Sequence, residues 1–472
     1  MSAQKQFHIG LIGLGVMGRN LALNMEEKGF PVAVWNRNSE AIDTFIAEYQ
    51  GKRFGGEADL AGFVALLERP RRILLMIKAG DPVDQVIEQL LPLLEPGDIV
   101  MDGGNSWFED TRRREKYLGG KGIHFVGVGI SGGEEGARHG PSMMPGGSVD
   151  AYAEVRSVFE AVTAQTEAGA CVTHVGPDGA GHFVKMVHNG IEYADMQLLA
   201  EVYDLMRRGL CLSESAMAEL FDQWNQGPME SFLVELTAQV MKVRDIETDR
   251  PLLSLIMDKA GQKGTGRWTV QAALAQGVAV PGIAAAVDAR VLSSMKEQRM
   301  AASLVLQGTQ PNEVAAPTPL PADLHSAIYA SRITAYAQGM DLIRIASNRY
   351  HWSVDLAETA RIWKGGCIIR ARLLDPIRHA FSCTTEPANL MLDREMSVQL
   401  QALQGAWRSV IAFSVAAGIP APVMSACLNY FDSYRTERLP QNLIQAQRDA
   451  FGAHTYERVD HPGWGFVHSK WR

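Results

Sequence analysis

A basic and an acidic side chain recur on one face of a predicted helix near the middle of the chain. Residues 179–193 have helical periodicity, and Lys185 and Glu192 lie two turns apart in this segment, about 10 Å along the axis. On a helical wheel of about 100° per residue, His188 and Asn189 fall on the same face. A base and an acid so placed can act on two carbons of one small substrate. The spacing alone fits an exposed charge pair with a capping histidine equally well.

Two glycines interrupt the apolar part of this helix. Phe183, Val187 and Ile191 supply the packing around the polar face, whereas Gly181 and Gly190 each cost about 1 kcal/mol relative to alanine in a helix. Such a cost indicates that a ligand or another backbone approaches the helix closely.

A glycine motif near the N-terminus is typical of a dinucleotide-binding turn. Gly13, Gly15 and Gly18 have the spacing G-x-G-x-x-G, directly after a strand-like run and at the start of a predicted helix. Gly13 makes the tight turn, Gly15 lets the backbone approach a pyrophosphate, and Gly18 allows close packing of the helix on the strand. The motif alone is weak, because a glycine-rich turn need not bind a ligand. Its β-α-β context favours binding.

The end of the next strand favours NADP over NAD. An NAD enzyme usually has an acidic residue there, which bonds the ribose 2′-hydroxyl. This chain has Asn36, Arg37 and Asn38 instead, and a guanidinium can pair with a 2′-phosphate. Lys78, at a later strand end, is predicted to face the same crevice. The alternative is a solvated arginine at a strand end.

Further glycine-rich turns are suited to an anionic substrate. The segments 102–106 and 129–133 each follow a predicted strand, and such turns offer backbone N–H groups to carboxylate or phosphate. The segment 261–268 is a basic glycine loop, but it lacks the four-residue spacer of a Walker A motif. Arg290 is predicted on a helix, and Arg448 and His454 lie in the C-terminal tail.

The fold predicted to position these residues is an α/β Rossmann-like domain, then a large all-α domain and an extended tail. Short apolar runs alternate with the helical stretches Val16–Lys28 and Pro82–Leu91, which predicts a doubly wound sheet with its ligand at the carboxyl ends of the strands. The predicted strands are 7–12, 32–35, 73–77 and 98–101, with further signals near 123–127 and 171–175.

Long helical periodicity replaces the strand signals after residue 178. We therefore predict a dinucleotide-binding domain over 1–178, a helical substrate and dimerisation domain over 179–435, and a tail over 436–472. Asp178 or the glycines around it are candidates to cap the first helix of the second domain. The proline-rich stretch 309–321 is predicted to be a loop, and the tail lacks a long amphipathic run.

Composition excludes several protein classes. The 472 residues predict about three domains or subdomains, and 46% hydrophobic residues argue against a disordered chain. The net charge of −8 lowers the weight of nucleic-acid binding. Neither a secretory leader nor a membrane-spanning run is present, which predicts a cytoplasmic protein. The five cysteines are scattered and without zinc spacing, so we expect neither a disulfide framework nor a metal site.

Taken together, the motifs resemble the decarboxylating 6-phosphogluconate dehydrogenase family of the pentose phosphate pathway, from Ile9 to about Trp471. The matching runs are Gly-Leu-Gly-Val-Met-Gly-Arg-Asn from 13, Asp-Gly-Gly-Asn from 102, Ser-Gly-Gly-Glu-Glu-Gly from 131, Gly-Ala-Gly-His-Phe-Val-Lys-Met-Val-His-Asn-Gly-Ile-Glu-Tyr from 179, Lys-Gly-Thr-Gly from 263 and Gln-Ala-Gln-Arg-Asp-Ala-Phe-Gly-Ala-His from 445. So many matches in order make chance implausible.

The resemblance implies oxidative decarboxylation of 6-phosphogluconate to ribulose 5-phosphate and CO2 with reduction of NADP, as used in gluconate utilisation. It implies that Lys185 is the base that takes the proton of the substrate 3-hydroxyl, and that Glu192 later protonates C1 of the enediol. The implied cofactor positions are Gly13, Leu14, Gly15, Val16, Met17, Gly18, Asn36, Arg37, Asn38, Ile77, Lys78, Ala79 and Asn105. The implied substrate positions are Asn105, Ser131, Gly132, Gly133, His188, Asn189, Tyr193, Lys263, Arg290, Arg448 and His454. No metal is implied.

The resemblance also implies a homodimer in which each tail crosses into the neighbouring subunit, so that Arg448 and His454 serve the site of the partner protomer. Asn38 stands where many family members have Ser or Thr beside the 2′-phosphate, and Gly15 where many have Ala. Two other readings stay open: a β-hydroxyacid dehydrogenase of the wider superfamily, which shares the catalytic lysine, and a catalytically idle NADP-binding protein.

Overall fold

The structure is a computed structural model that describes residues 7–318 and 320–471. The first six residues of the predicted first domain, Pro319 of the predicted loop and the last residue of the predicted tail lie outside the described residues. No helix in the described ranges is long and apolar enough to cross a membrane.

The described N-terminal region is built on a sheet of mainly parallel strands. Its strands are β1 (Ile9–Ile12), β2 (Val32–Trp35), β3 (Phe54–Gly56), β4 (Arg72–Leu75), β5 (Ile99–Asp102), β6 (His124–Ser131) and β7 (Ser142–Pro145). They lie in the order β3-β2-β1-β4-β5-β6-β7, with β7 antiparallel to β6 and all other pairs parallel. Strands β1, β4 and β5 are buried along their whole length, because helices cover both faces.

The helices of this region are α1 (Val16–Glu27), α2 (Ser39–Glu48), α3 (Leu60–Ala65), α4 (Asp81–Leu90), α5 (Phe108–Gly119), α6 (Gly133–His139) and α7 (Val149–Val162). Two apolar clusters, one on each side of the sheet, join strands and helices. The predicted doubly wound sheet is therefore confirmed.

The strand predictions were correct at five places and wrong at one. The run 171–175 forms no strand, and Val172 makes only an isolated bridge to Met143. The neighbouring residues instead form a small hairpin of β8 (Gln165–Thr166) and β9 (Gly169–Ala170). Strands β3 and β7 were not predicted, since Phe-Gly-Gly and Ser-Met-Met-Pro lack the β-branched residues that mark a strand.

Helices dominate from residue 180 onward, as predicted. They are α8 (Ala180–Asp204), α9 (Glu214–Trp224), α10 (Phe232–Lys242), α11 (Thr265–Gln276), α12 (Pro281–Ser294), α13 (Lys296–Val305), α14 (Leu320–Tyr350), α15 (Leu356–Ile362), α16 (Leu374–Phe381), α17 (Arg394–Ala416), α18 (Pro422–Tyr434) and α19 (Gln441–Gly452). Helices α8 and α14 pack together and share one large apolar core with the helices around them. A single π-helical turn, Leu205–Gly209, extends α8.

The sequence offered Asp178 or the glycines around it as the cap of α8, and Gly179 occupies the N-cap position. The Asp178 carboxylate instead accepts a hydrogen bond from Arg112 Nε at 2.5 Å. Other local details differ from the sequence expectations. The predicted loop 309–321 contains a short 3-10 turn, Pro311–Glu313, and the start of α14. The predicted tail begins with helix α19, which the sequence pattern did not indicate, and continues as a hairpin of β10 (Tyr456–Glu457) and β11 (Phe466–Val467).

Candidate active site

Helix α8 lies directly against the last parallel strand of the sheet, and glycines make this contact close. A Cβ on Gly181 would lie 2.6 Å from the Gly146 nitrogen and nearer still to the carbonyl oxygens of Gly127 and Met144. A side chain on Gly129 of β6 would collide with the Cβ of Lys185. The glycines therefore let the helix backbone rest on the sheet and bring Lys185 to the carboxyl end of β6.

The second glycine of α8 meets a side chain. A Cβ on Gly190 would lie 2.7 Å from Cγ2 of Thr269 on α11. The Thr269 hydroxyl in turn donates to the Met186 carbonyl at 2.8 Å. The close approach expected from the sequence is thus made to backbone at Gly181 and to a threonine at Gly190.

Lys185 is buried, with 5% of its surface exposed. Burial lowers the pKa of its amine from the ordinary value, while the negative charge of Glu192 and, to a smaller extent, Cys367 opposes this shift. The sequence by itself suggests the hypothesis that Lys263, together with partial burial, lowers the pKa of Lys185 so that it can act as a base. The first part is wrong, because Lys263 is exposed on its loop and burial of Lys185 itself supplies the shift.

His188 connects Lys185 to strand β6 and to α11. Its Nδ1 lies 3.3 Å from Lys185 Nζ and 3.1 Å from Asn189 Oδ1, and its Nε2 lies 3.2 Å from Ser131 Oγ. Burial and the neighbouring Lys185 hold the pKa of His188 well below its usual range, so the ring is neutral. Since the Asn189 amide donates to the Thr265 hydroxyl at 3.1 Å, its carbonyl oxygen faces the ring and assigns the proton to Nδ1.

Glu192 lies one turn beyond His188, with Oε2 3.7 Å from His188 Nδ1. Burial raises the pKa of its carboxyl group, and Lys185 and Arg290 oppose this shift by their positive charge. The side chain still keeps 19% of its surface exposed. A base with a lowered pKa and an acid with a raised pKa are the shifts that general acid–base chemistry requires near neutral pH. The alternative of an exposed surface pair is excluded.

Arg290 reaches this acid from α12. Its guanidinium lies over the Tyr193 ring, 3.5 Å from the centroid, and donates to the Gly261 carbonyl at 3.1 Å. A Cβ on Gly266 would collide with the same Tyr193 ring, so the first turn of α11 packs tightly on α8. These contacts fix a positive charge beside Glu192.

One cavity of about 660 Å³ brings most of the predicted substrate residues together. The predicted residues that line it are Met17, Asn105, Ser131, Gly132, Gly133, Lys185, Asn189, Glu192, Tyr193, Lys263 and Arg290. His188 is buried behind this lining. Arg448 and His454 do not line the cavity; they lie on and after α19, and Arg448 is exposed.

The cavity also contains residues that the sequence analysis did not assign. They are Ile130, Met196, Gly261, Gln262, Thr265 and Ile368. Thr265 lies inside the Lys-Gly-Thr-Gly run, which was a signal for it. Met196 follows Glu192 by four residues and therefore shares its helical face. Ile368 comes from a distant loop, and no local pattern indicates its position.

The glycine turn after β1 has the shape of a phosphate cradle. Gly13 has φ of 107°, and a Cβ there would lie 2.5 Å from the Met76 carbonyl oxygen. A Cβ on Gly18 would overlap the Gly13 carbonyl oxygen. No atom lies within 4 Å of a Cβ built on Gly15, so the N-terminus of α1 is open to a ligand there. This open cradle fits a dinucleotide pyrophosphate.

The side chains at the other strand ends surround this turn. Asn36 Oδ1 accepts from the Leu14 amide at 3.2 Å, and Asn38 caps α2 by accepting from the Glu40 amide at 3.1 Å. Arg37 and Lys78 are both exposed at their strand ends, whereas Ile77 and Ala79 are half-buried. Met17 of α1 borders the cavity that holds Lys185, so the cradle and the acid–base pair share one crevice.

No group of three or more His, Cys, Asp or Glu side chains that could hold a metal ion occurs among the described residues. The charged groups that line the cavity are the Lys185 amine, the Glu192 carboxyl group, Lys263 and the Arg290 guanidinium. Such a set is suited to a small anionic substrate.

The family models and the similar proteins of known sequence all point to 6-phosphogluconate dehydrogenase. Residues 8–176 match the family described as the NAD binding domain of 6-phosphogluconate dehydrogenase, and residues 181–471 match its C-terminal domain. The decarboxylating 6-phosphogluconate dehydrogenase of Synechococcus elongatus is 54% identical, covering 99% of this chain and 100% of that protein. The NADP(+)-dependent, decarboxylating enzyme of Bacillus subtilis is 49% identical, covering 98% of each chain.

A solved structure agrees over the same length. The Plasmodium falciparum 6-phosphogluconate dehydrogenase has a TM-score of 0.94 and 40% identity, covering 98% of this chain and 100% of that one. That enzyme is described in its apo form and in complexes with its cofactor NADP+ and its substrate 6-phosphogluconate.

Proposed function

This chain belongs to the 6-phosphogluconate dehydrogenase family, and on that premise we propose how its site converts 6-phosphogluconate to ribulose 5-phosphate and CO2 with reduction of NADP. The protein is an NADP-dependent, decarboxylating enzyme. The observation that carries the proposed mechanism is the buried Lys185 amine, which shares one cavity with Glu192 and borders the phosphate cradle at Met17.

Lys185 is the base of the oxidation. When bound in the crevice, NADP accepts the hydride that leaves C3 of the substrate. The Lys185 amine takes the proton of the 3-hydroxyl group at the same time, so that a carbonyl forms at C3. Because burial lowers the pKa of the amine, its neutral form is accessible for this step.

The β-keto acid then loses CO2, because the C3 carbonyl accepts the electron pair of the broken C–C bond. The protonated Lys185 returns its proton to the carbonyl oxygen, which gives an enediol. Glu192 then donates a proton to the carbon that lost CO2. The Lys185 amine, neutral again after the preceding step, takes the proton of the enediol hydroxyl, and the ketone of ribulose 5-phosphate forms. The raised pKa of Glu192 keeps a proton available for this donation.

The remaining cavity residues orient the two ends of the substrate. We assign the substrate anions to the positive side chains Lys263 and Arg290 and to the N–H groups of the Ser131–Gly133 turn. His188 and Asn189 keep the Lys185 amine in place through their mutual hydrogen bonds. We assign Asn105 to contact both cofactor and substrate, because it is exposed in the turn after β5 and lines the cavity together with Met17 of α1.

Bound NADP would be held by the turn at Gly15 through its pyrophosphate and by Arg37, between Asn36 and Asn38 in the chain, through its 2′-phosphate. Supporting observations are the open cradle at Gly15 and the exposure of Arg37 at the end of β2. Val16 and Leu14 complete the turn, and Lys78 is exposed three residues after the end of β4, which leaves it accessible to the cofactor.

We further propose the division into residues 1–178, 179–435 and 436–472, and a homodimer with exchanged tails. Arg448 and His454 would then complete the cavity of the partner protomer, which accounts for their distance from the cavity of their own chain. The cytoplasmic location stays a prediction.

A coupled assay tests the function. Protein is mixed with NADP and 6-phosphogluconate, and NADPH absorbance and CO2 release are followed together. We expect equal amounts of both, and neither product from Lys185→Met, which removes the base but keeps an unbranched apolar stem. NADPH without CO2 would favour a β-hydroxyacid dehydrogenase, and absence of NADPH would favour an idle NADP-binding protein.

A further inference from the structure

The tail has a compact structure around one carboxylate. Among the residues of α19, all of which are described, Asp449 is the buried one, with 0% of its surface exposed. The apolar side chains nearby are largely exposed, Phe451 and Phe466 among them. An internal apolar core therefore does not hold the tail together.

The Asp449 carboxylate accepts four hydrogen bonds from the chain that follows the helix. Its Oδ1 accepts from the Thr455 amide at 2.9 Å and faces His468 Nδ1 at 2.9 Å. Its Oδ2 accepts from the Ser469 amide at 3.1 Å and from Trp471 Nε1 at 2.7 Å. Burial raises the pKa of this carboxyl group, but the hydrogen bonds outweigh burial and hold the pKa well below its usual range. The Asp449 carboxylate is therefore charged at neutral pH.

These bonds fix the backbone on either side of His454. Ala453 and Thr455 both have left-handed φ, 51° and 58°, which non-glycine residues adopt only when contacts hold them there. The Asp449 carboxylate bonds the Thr455 amide, and the Gln445 side chain donates to the Thr455 carbonyl at 2.5 Å. Arg448 precedes Asp449, so its side chain diverges by about 100° and is exposed while Asp449 is buried.

We propose that Asp449 is a positioning residue that holds Arg448 and His454 as one preformed unit for substrate binding. The inference deepens the proposed function, since it assumes that these two cations complete a substrate cavity. A preformed unit binds its substrate without the entropic cost of ordering a mobile loop.

The test compares Asp449→Asn with Asp460→Asn. Asp460 is an exposed tail carboxylate that pairs with Arg458, so its variant has the same change of charge. We expect Asp449→Asn to raise KM for 6-phosphogluconate about tenfold, the factor for one lost charged hydrogen-bond network, with little change in kcat or in KM for NADP. Asp460→Asn leaves all three constants unchanged.

A milder variant and a double-variant cycle separate positioning from loss of fold. Trp471→Phe keeps an aromatic side chain but removes the indole N–H that donates to Asp449. We expect this variant to raise KM for 6-phosphogluconate less than Asp449→Asn does. Combined with Arg448→Ala and His454→Ala, Asp449→Asn should add nothing further. If Arg448→Ala raises KM and neither Asp449→Asn nor Trp471→Phe does, the positioning role is wrong. If Arg448→Ala and His454→Ala leave KM unchanged, the proposed role of the tail is wrong and the positioning role falls with it.

Discussion

Burial shifts the two ionisable groups of α8 in opposite directions, and this opposition determines the pH dependence of the reaction. In the proposed mechanism, the Lys185 amine has lost its proton and the Glu192 carboxyl group holds one before catalysis starts. The lowered pKa of Lys185 and the raised pKa of Glu192 move these two conditions towards each other on the pH scale. Because Lys185 and Glu192 interact, the apparent pKa values seen in a pH profile describe the pair and not either residue alone.

We therefore expect a bell-shaped profile of kcat/KM for 6-phosphogluconate against pH. Activity rises with pH as Lys185 loses its proton and falls as Glu192 loses its own. Glu192→Gln cannot donate a proton, so it should lose the alkaline limb and about 10²-fold or more in kcat. Steady-state kinetics from acid to alkaline pH measure both effects. If the alkaline limb persists in Glu192→Gln, that limb reflects the titration of a group other than Glu192.

Arg37 at the end of β2 tests the basis of cofactor choice. An arginine pairs with the 2′-phosphate of NADP, whereas an aspartate repels it and bonds the ribose hydroxyl of NAD. Arg37→Asp should raise KM for NADP by about tenfold or more and improve the use of NAD. Arg156→Asp on α7 is the control, because Arg156 forms an exposed ion pair with Glu160 and its variant has the same change of charge. Unchanged NADP kinetics in Arg37→Asp would refute its role.

At the scale of elements, the sequence determined α8 better than its surroundings. The 3.6-residue period predicted a continuous helix, and the glycines at 181 and 190 predicted that a ligand or another backbone approaches it closely. Helix α8 runs unbroken over Ala180–Asp204. The same pattern could not distinguish a buried polar face from an exposed one. That distinction depends on Gly127, Gly129 and Met144, which belong to strands distant in sequence.

The packing of α8 on β6 has a measurable energetic consequence. Gly181→Ala forces a methyl group against three backbone atoms, which cannot rotate away, so the helix must move off the sheet. We expect a loss of about 1–3 kcal/mol in the free energy of unfolding, measured by urea denaturation, and a lower kcat because Lys185 moves with the helix.

Gly405→Ala is the matched control for this experiment. Gly405 is an exposed residue within α17, and no atom lies within 4 Å of a Cβ built on it. Its replacement should leave kcat unchanged and stabilise the protein by about 0.5–1 kcal/mol. Equal free energies of unfolding for Gly181→Ala and Gly405→Ala would mean that α8 does not pack closely on β6 at Gly181.

At the scale of the whole molecule, local sequence patterns predicted the α/β region and the helical region. They did not predict where the tail lies relative to the cavity. The doubly wound sheet and the helical region follow from the periods of their hydrophobic residues. Strand β7 was not predicted, because its sequence is rich in methionine. Helix α19 was not predicted, because it buries a carboxylate instead of an apolar stripe. Arg448 and His454 were assigned to the site by resemblance alone, and their own chain keeps them out of its cavity.

Mixed dimers decide whether the tail serves the partner protomer. One chain carries Lys185→Met with a normal tail, and the other has a normal Lys185 with Arg448→Ala and His454→Ala. Each homodimer is expected to be inactive or nearly so. If tails are exchanged, the mixed dimer has one complete site, built from the normal cavity of one chain and the normal tail of the other. Random reassortment should then restore about a quarter of the wild-type activity, since half of the dimers are mixed and each has one working site. If each tail serves its own chain, every site contains a defect and mixing restores nothing.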